Sequence, residues 1–313
     1  MSINKIQFQK GLSIFDFMKL YGTEDQCHIV LKQARWPNGF QCEECGHLGY
    51  CYIKSRKLYQ CNSCKHQTTI IRNTVFHNTN LPLTKWFLSM FLISQSKNGI
   101  SSLELGRQVD VSYKTAWKIK HKLMQVMMER DQGKKLSGII EADDAYLGGK
   151  KNGGKRGRGS ENKQPFIAAV STTDDNRPIF IKLSTVPTFD KKSVVSWSKK
   201  NLQSGSTIYT DGLLAFLSLT GTGLNHNRIV IGKKAKSTDN PRFNWVNTVL
   251  GNLKNAIKGT YHSNGYESRY LSEFQYRFNR RFDLKTIFKR LLFAAVQTPP
   301  LQGRLLKMAA NCT

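Results

Sequence analysis

Two acidic residues at the ends of apolar runs are well placed to do chemistry in this 313-residue sequence. Asp143 lies in the run Gly138–Gly149, which also contains Glu141, and Asp211 follows the run Ser206–Thr210. Both runs are typical of buried strands, and side chains two apart on a strand share a face. Because buried carboxylates are costly unless paired, protonated or bound to a cation, the two aspartates would hold a divalent ion such as Mg²⁺. The alternative is that both acids cap helices or lie in surface turns.

Four of the seven cysteines form a second candidate metal site. They are arranged as Cys42-Glu-Glu-Cys45 and Cys61-Asn-Ser-Cys64, with 15 residues between the two pairs. This spacing is typical of a zinc ribbon, in which four thiolates bind one tetrahedral Zn²⁺ and fold a segment too small to build its own core. Basic residues nearby favour contact with DNA, and docking of another protein is the alternative.

The charge of the chain favours a polyanionic partner. Lys and Arg number 48 against 21 acids, which gives a formal net charge of +27. Double-stranded DNA fits this balance, but a ribosomal or chromatin-type binder would show the same charge, so charge does not establish catalysis. The sequence lacks a run of the ~18 apolar residues that span a bilayer, and its start lacks the apolar core of a signal peptide. We therefore expect no membrane association and a cytoplasmic, nucleoid-associated protein, whose clustered cysteines bind metal rather than form disulfides.

Residues 1–80 and 81–135 are expected to form two DNA-binding regions ahead of the catalytic one. The first has short helices over Ser13–Tyr21 and Thr23–Arg35, followed by the ribbon. The second has the pattern of a helix-turn-helix, with helices over Lys85–Ser96 and Ser102–Gln108 and a third that Ser112 would cap.

The third of these helices would present a basic face to DNA. Its apolar stripe faces a core, and on the opposite side lie Lys114, Thr115, Lys118 and Lys122. A purely structural three-helix unit is the alternative.

Residues 136–313 predict an α/β catalytic domain. After the strand with Asp143 come two strands joined by a turn at Asp174–Asn176, a helix over Lys191–Asn201, the strand that ends before Asp211, and further strand and helix segments. This order is typical of a ribonuclease-H-like core, in which the first and fourth strands lie side by side.

The helix expected over Phe243–Lys258 carries candidates for a third position in the site. Asn247, Gly251 and Lys254 share one face, where Asn247 would offer an amide oxygen to metal and Lys254 would contact phosphate. A plain polar helix surface is the alternative. The acids downstream of Asp211 are Asp239, Glu267, Glu273 and Asp283.

A glycine-rich basic segment follows the first acidic strand. Residues 148–159 contain no apolar side chain, and their cations are Lys150, Lys151, Lys155, Arg156 and Arg158. We expect a loop that becomes ordered on DNA phosphates, because its charge has one sign; a solvated linker is the alternative.

These blocks together resemble bacterial insertion-sequence transposases of the DDE type that carry an amino-terminal zinc ribbon. The resemblance covers nearly the whole chain. It is carried by the cysteine pairs and by Arg35–Cys42, Lys114–Trp117, His121–Leu123, Glu141–Gly149, Thr210–Gly212, Val246–Thr248, Lys254, Gly259–His262 and Glu273–Arg281.

The resemblance implies roles for individual residues. Asp143 and Asp211 would be the metal-binding aspartates, and Asn247 would occupy the third catalytic position, with Lys254 seven residues further on. Most such enzymes have Glu at the third position, and a branch of the family has Asn followed by Lys. Glu273 is the first alternative source of a third carboxylate.

The expected reaction is DNA transposition. The transposase would cleave element ends and join the freed 3′-hydroxyl to target DNA, using Mg²⁺ or Mn²⁺, and would act as a homodimer or higher oligomer on DNA. Three alternatives remain: a DNA-binding regulator without catalysis, a nuclease with the same core, and an inactive copy.

Overall fold

A computed structural model describes residues 10–148, 163–230, 240–261 and 265–308. The chain divides into two compact units. The first comprises Met1–Ser96, Ile100–Met127 and Phe282–Leu306, and the second comprises Lys97–Gly99, Met128–Arg281 and Lys307–Thr313. None of the helices described is long and apolar enough to cross a membrane. The region boundaries expected near residues 80 and 135 stay a prediction.

The helices whose bounds the sequence predicts begin and end close to the predicted residues. In chain order they are α1 (Ile14–Tyr21), α2 (Glu24–Arg35), α3 (Leu83–Gln95), α4 (Ser102–Val109), α5 (Tyr113–Gln132), α6 (Lys191–Asn201), α7 (Asn244–Ile257), α8 (Glu267–Phe278), α9 (Leu284–Gln297) and α10 (Gly303–Met308). Three of these helices start at side-chain caps: Ser13, Thr23 and Ser101 each accept a hydrogen bond from the backbone N–H three residues on.

The first unit contains a small antiparallel sheet with an aromatic core. Strands β1 (Tyr50–Ile53), β2 (Leu58–Cys61) and β3 (Gln67–Thr68) pair in that order. Tyr59 is buried at its centre, with the rings of Trp36, Tyr50 and Tyr52 within 5.2 Å of its own. Packing onto the end of α2 therefore supplements the cysteine cluster in holding this sheet.

The predicted three-helix region of the same unit is confirmed as α3, α4 and α5. The apolar stripe predicted on α5 is fully buried, at Ala116, Ile119, Leu123 and Val126. Ser112 accepts a hydrogen bond from the N–H of Thr115 at 3.3 Å and so caps the helix start, as the sequence predicts.

The second unit is built on a five-stranded mixed sheet. After β4 (Ile139–Leu147), β5 (Gln164–Thr172), β6 (Pro178–Thr185), β7 (Thr207–Thr210) and β8 (Asn225–Arg228), the strand order is β6-β5-β4-β7-β8. Neighbours β4, β5 and β6 are antiparallel, whereas β7 is parallel to both β4 and β8. The expected adjacency of the first and fourth strands is confirmed.

The sheet buries two apolar faces against different helices. Ile140, Ala142 and Ile208 pack with α6 and a 3₁₀ helix at Leu214–Leu219. On the other face, α7 and α8 pack against Phe166, Ala168, Val170 and Ile181. By strand alternation, the odd-numbered residues of β4, among them Glu141 and Asp143, belong to the face that α7 covers.

Side chains of α8 and of the residues that follow it cover the edge strand β6. Gln275 accepts from the N–H of Leu183 at 2.8 Å, and Asn279 accepts from the N–H of Ile181 at 2.8 Å and donates to its carbonyl at 3.0 Å. Arg281 donates to the carbonyl of Ile179 at 3.1 Å. An open strand edge is a template for association, so these side chains close it.

Candidate active site

Three carboxylates meet at the point where the pairing of the central strands β4 and β7 ends. Asp143, Asp144 and Asp211 each offer an oxygen, and these oxygens all lie within 4.8 Å of one another. The strands run parallel with Ala142 opposite Thr210, so Asp143 and Asp211 each lie one residue beyond this pair. The structure thus brings together the two aspartates that the sequence selects, although they are 68 positions apart.

The environment of Asp143 disfavours its charged form in the metal-free protein. Burial raises the pKa of Asp143 to about 7, and the nearby charges of Asp211 and Asp144 act in the same direction. The N–H of Asp144, which donates to Asp143 Oδ1 at 2.9 Å, and the charge of Lys254 oppose this rise. A divalent cation would relieve the repulsion between these acids.

The donor set fits Mg²⁺ or Mn²⁺. Both ions prefer hard oxygen ligands, and closely spaced carboxylates on two adjoining strands supply them. Metal binding here stays a prediction that rests on these residues.

Sequence reasoning missed Asp144. Strand alternation assigns its side chain to the face opposite Asp143, yet its carboxylate oxygen lies within the same cluster. Two consecutive acids within a strand-like run were the available signal, and both lie inside β4, just past its last residue paired with β7.

Glu141 fastens the start of α7 to β4. Its Oε2 accepts from the backbone N–H groups of Trp245 at 3.0 Å and Val246 at 2.9 Å. Burial raises the pKa of Glu141 to about 7, and these two hydrogen bonds and the charge of Arg242 oppose that shift. This buried acid is therefore partnered by a helix terminus.

The face of α7 predicted to complete the site carries Asn247 and Lys254. The side-chain nitrogen of Asn247 is buried and has no hydrogen-bond partner among the described residues. Lys254 is exposed, and its charge favours the ionised form of Asp143. Gly251, between them, is exposed, and a Cβ there would meet nothing within 4 Å, so this face is open.

Glu273 does not supply a third carboxylate. It is fully buried on α8, where the charged group of Arg277 lies 3.6 Å away. The helix α8 packs on β6, which is separated from β4 by β5. Asp239 lies outside the described residues.

The four predicted zinc ligands form a compact cluster in the first unit. Their sulfurs lie within 4.8 Å of one another, with Cys42 to Cys64 and Cys45 to Cys61 both at 3.6 Å. Tetrahedral Zn²⁺ with bonds of about 2.3 Å requires sulfurs about 3.8 Å apart, so this arrangement suits zinc. Gly46 and Lys65 adopt positive φ just after each pair, which turns the chain back around the site.

The residues predicted to contact DNA differ in exposure. On α5, Lys114 and Lys118 are exposed, and Thr115 is half-buried. Lys122 was expected on the same face, but it is half-buried and donates to the carbonyl of Val75 at 3.0 Å, so it is held within the fold. The remaining cations, Lys150, Lys151, Lys155, Arg156 and Arg158, lie outside the described residues. Contact with DNA stays a prediction for all of them.

Two family models match this chain. Residues 135–279 match an ISXO2-like transposase domain, and residues 22–67 match a transposase zinc-ribbon domain. A protein of the transposable element ISH50 from Halobacterium salinarum is 26% identical over 217 residues, which cover 64% of this chain and 71% of that protein. The first model spans the strands and helices that carry the acidic cluster, and the second spans the four cysteines.

Proposed function

This chain belongs to the insertion-sequence transposases that join a zinc ribbon to an ISXO2-like transposase domain, and we propose that it cleaves insertion-sequence ends and joins the 3′-hydroxyl to target DNA. The observation that carries this proposal is the meeting of Asp143, Asp144 and Asp211 beside α7. Like charges crowded beside the central strands are costly for a protein that only binds DNA, whereas metal-dependent phosphoryl transfer uses them.

The second unit is proposed to be a ribonuclease-H-like catalytic core. The strand order β6-β5-β4-β7-β8, with β7 and β8 parallel to β4, supports this assignment. With it we retain three regions: 1–80 with the ribbon, 81–135 with the helix-turn-helix, and 136–313 with the catalytic core.

The proposed chemistry needs no covalent bond to the protein. Asp143 and Asp211 would hold Mg²⁺ or Mn²⁺, and Asn247 would complete the ligand set. Bound ions would activate the attacking oxygen, from water or a 3′-hydroxyl, and stabilise the leaving oxygen. Lys254 is proposed to fix the DNA backbone beside the acids, because its exposed ammonium lies on the same helix face as Asn247.

DNA recognition is assigned to the first unit, and further contact with the DNA backbone is assigned to the basic segment that follows β4. The exposed Lys114 and Lys118 at the start of α5 would meet DNA, with Thr115 beside them, while Lys150, Lys151, Lys155, Arg156 and Arg158 would track the backbone. Double-stranded DNA, as element ends and target, is the proposed partner. Joining two ends requires two active sites, so we propose a homodimer or higher oligomer on DNA, acting in the cytoplasm at the nucleoid.

The test is a strand-transfer assay with the full chain, its element's own ends, a supercoiled target and Mg²⁺ or Mn²⁺. We expect joined products from the wild type and none from Asp143→Ala or Asp211→Ala, with DNA binding retained in both variants. Cutting without joining would indicate a nuclease, and unchanged function in both variants would indicate a regulator that does not use the acids.

A further inference from the structure

The start of α7 is held by both strands that carry the catalytic aspartates. Glu141 on β4 lies opposite Tyr209 on β7 in the parallel pairing. Asp143 lies two residues further along β4, and Asp211 lies two residues after Tyr209, directly beyond the end of β7. Their carboxylates meet in one cluster. Glu141 and Tyr209 therefore contact the start of α7 and the segment just before it, and Asp143 and Asp211, two positions further on, belong to the acidic cluster.

The contact from β4 is a buried pair of hydrogen bonds. Glu141 is 1% exposed, and its Oε2 accepts from the N–H groups of Trp245 and Val246. These N–H groups belong to the first turn of α7 and have no carbonyl partner within the helix. The preceding residue, Phe243, has no polar side chain that could cap them, so the cap comes from a strand more than 100 residues earlier.

The contact from β7 is a cation on an aromatic ring. The guanidinium carbon of Arg242 lies 4.8 Å from the centre of the Tyr209 ring. Arg242 also favours the ionised form of Glu141 electrostatically. The segment just before α7 is thereby held over the neighbouring strand, while the indole N–H of Trp245 donates to the carbonyl of Asn176 at 2.5 Å.

We infer that Glu141 is a positioning residue, which sets the register of α7 on the sheet so that Asn247 reaches the metal held by Asp143 and Asp211. Asn247 directly follows Val246, whose N–H Glu141 binds, so a shift of the helix start moves Asn247 by the same amount. This inference rests on the proposed function, since it concerns the ligand set of that site. Outer-shell groups of this kind typically alter metal affinity by about 10- to 100-fold.

The experiment compares Glu141→Gln with Glu141→Asp by Mn²⁺ binding to the full chain on duplex DNA, followed by electron paramagnetic resonance. Gln keeps the side-chain length and an acceptor oxygen, whereas Asp keeps the charge but draws the acceptor back by roughly 1.5 Å. We expect Glu141→Gln to bind Mn²⁺ like the wild type and Glu141→Asp to bind it about 10-fold more weakly or worse. The opposite ranking would mean that Glu141 acts through its charge, and would overturn the inference.

A double-mutant cycle separates positioning from a general effect on folding. If Glu141 acts through the helix, Glu141→Asp has no further effect on Mn²⁺ affinity once Asn247→Ala is present. Additive losses would overturn the inference. If Glu141→Asp does not fold, Arg242→Ala replaces it in the cycle, because it releases the same helix start from β7 and leaves the core side chains in place.

Asp211→Asn is the control that distinguishes a failure of this inference from a failure of the proposed metal site. Loss of Mn²⁺ binding in Asp211→Asn with wild-type binding in Glu141→Asp would sink the inference alone. Wild-type Mn²⁺ binding in Asp211→Asn, or no binding by the wild type, would overturn the metal site of the proposed function and the inference with it.

Discussion

Arg280 donates two parallel hydrogen bonds to the carboxylate of Asp131, at 3.0 and 2.7 Å. Asp131 lies in the last turn of α5 and Arg280 follows α8, and both are buried, at 2% and 6% exposure. Arg280 also donates to the carbonyl of Tyr276 at 3.0 Å. A buried pair with this geometry is costly to break, because removing one partner leaves the other charge without compensation.

Asp131→Asn is therefore expected to lower the free energy of unfolding by about 3–5 kcal/mol. Burial would raise the pKa of Asp131, but the hydrogen bonds and charge of Arg280 outweigh it and hold that pKa below its ordinary value. A lowered folded-state pKa contributes stability that is full above the unfolded pKa of about 4 and is lost as pH falls through the folded pKa. The gap between wild type and Asp131→Asn should thus be full at pH 7 and shrink below about pH 4.

Urea denaturation at several pH values measures this gap. Asp174→Asn is the matched control, because Asp174 is exposed in the turn between β5 and β6. A loss for Asp131→Asn no larger than for this control would contradict the prediction.

Zinc content tests the cysteine cluster directly. Cys61→Ser removes one of four thiolates whose sulfurs lie within 4.8 Å of one another, and we expect purified protein to lose about one equivalent of zinc. Cys51→Ser is the control, since Cys51 is exposed on β1 and lies outside the cluster. Elemental analysis of both variants gives the answer, and zinc retained by Cys61→Ser would refute the four-thiolate assignment.

The sequence predicted the helices and strands well, because the residues that cap a helix and the spacing of apolar positions lie within or next to each element. Helix α6 spans the predicted residues Lys191–Asn201, since Asp190 caps its start and apolar positions recur at helical spacing. The meeting of Asp143 and Asp211 followed from strand order, because β4 and β7 are parallel neighbours and each aspartate follows the last pair between them, Ala142 and Thr210.

The contacts that the sequence did not reveal join residues far apart in the chain. Glu141 binds backbone N–H groups, which every residue but proline carries, so nothing in the sequence of α7 marks it as the partner. The same holds for Gln275 and Asn279, whose partners are main-chain atoms of β6. The block Glu273–Arg281, which contributes to the family resemblance, therefore covers the edge of the sheet. Glu273 itself is not part of the acidic cluster.

Asn279→Ala is expected to expose the edge of the sheet. The substitution removes both hydrogen bonds to Ile181 and leaves a donor and an acceptor of β6 unpaired, at a cost of about 1–3 kcal/mol. Free edges promote association, so the variant should also aggregate at lower temperature. Thermal unfolding with light scattering measures both effects. Asn227→Ala is the control, because Asn227 is exposed on the opposite edge strand β8, and equal behaviour of the two variants would contradict an edge-covering role.

The last prediction concerns Asn247, the proposed third ligand of the metal held by Asp143 and Asp211. If its amide oxygen binds metal, Asn247→Ala should abolish most strand transfer, and Asn247→Glu should retain it and tighten Mn²⁺ binding, because a carboxylate is the stronger ligand for hard cations. DNA affinity should change little in Asn247→Ala, since no charge is removed.

Asn252→Ala is the control: it lies five residues on, about 140° around the helix, and is exposed. Strand transfer and Mn²⁺ titration of the three variants measure the effect. Unchanged transposition with Asn247→Ala would remove Asn247 from the site, and the carboxylate of Asp144, already beside Asp143 and Asp211, would then be the available third oxygen ligand.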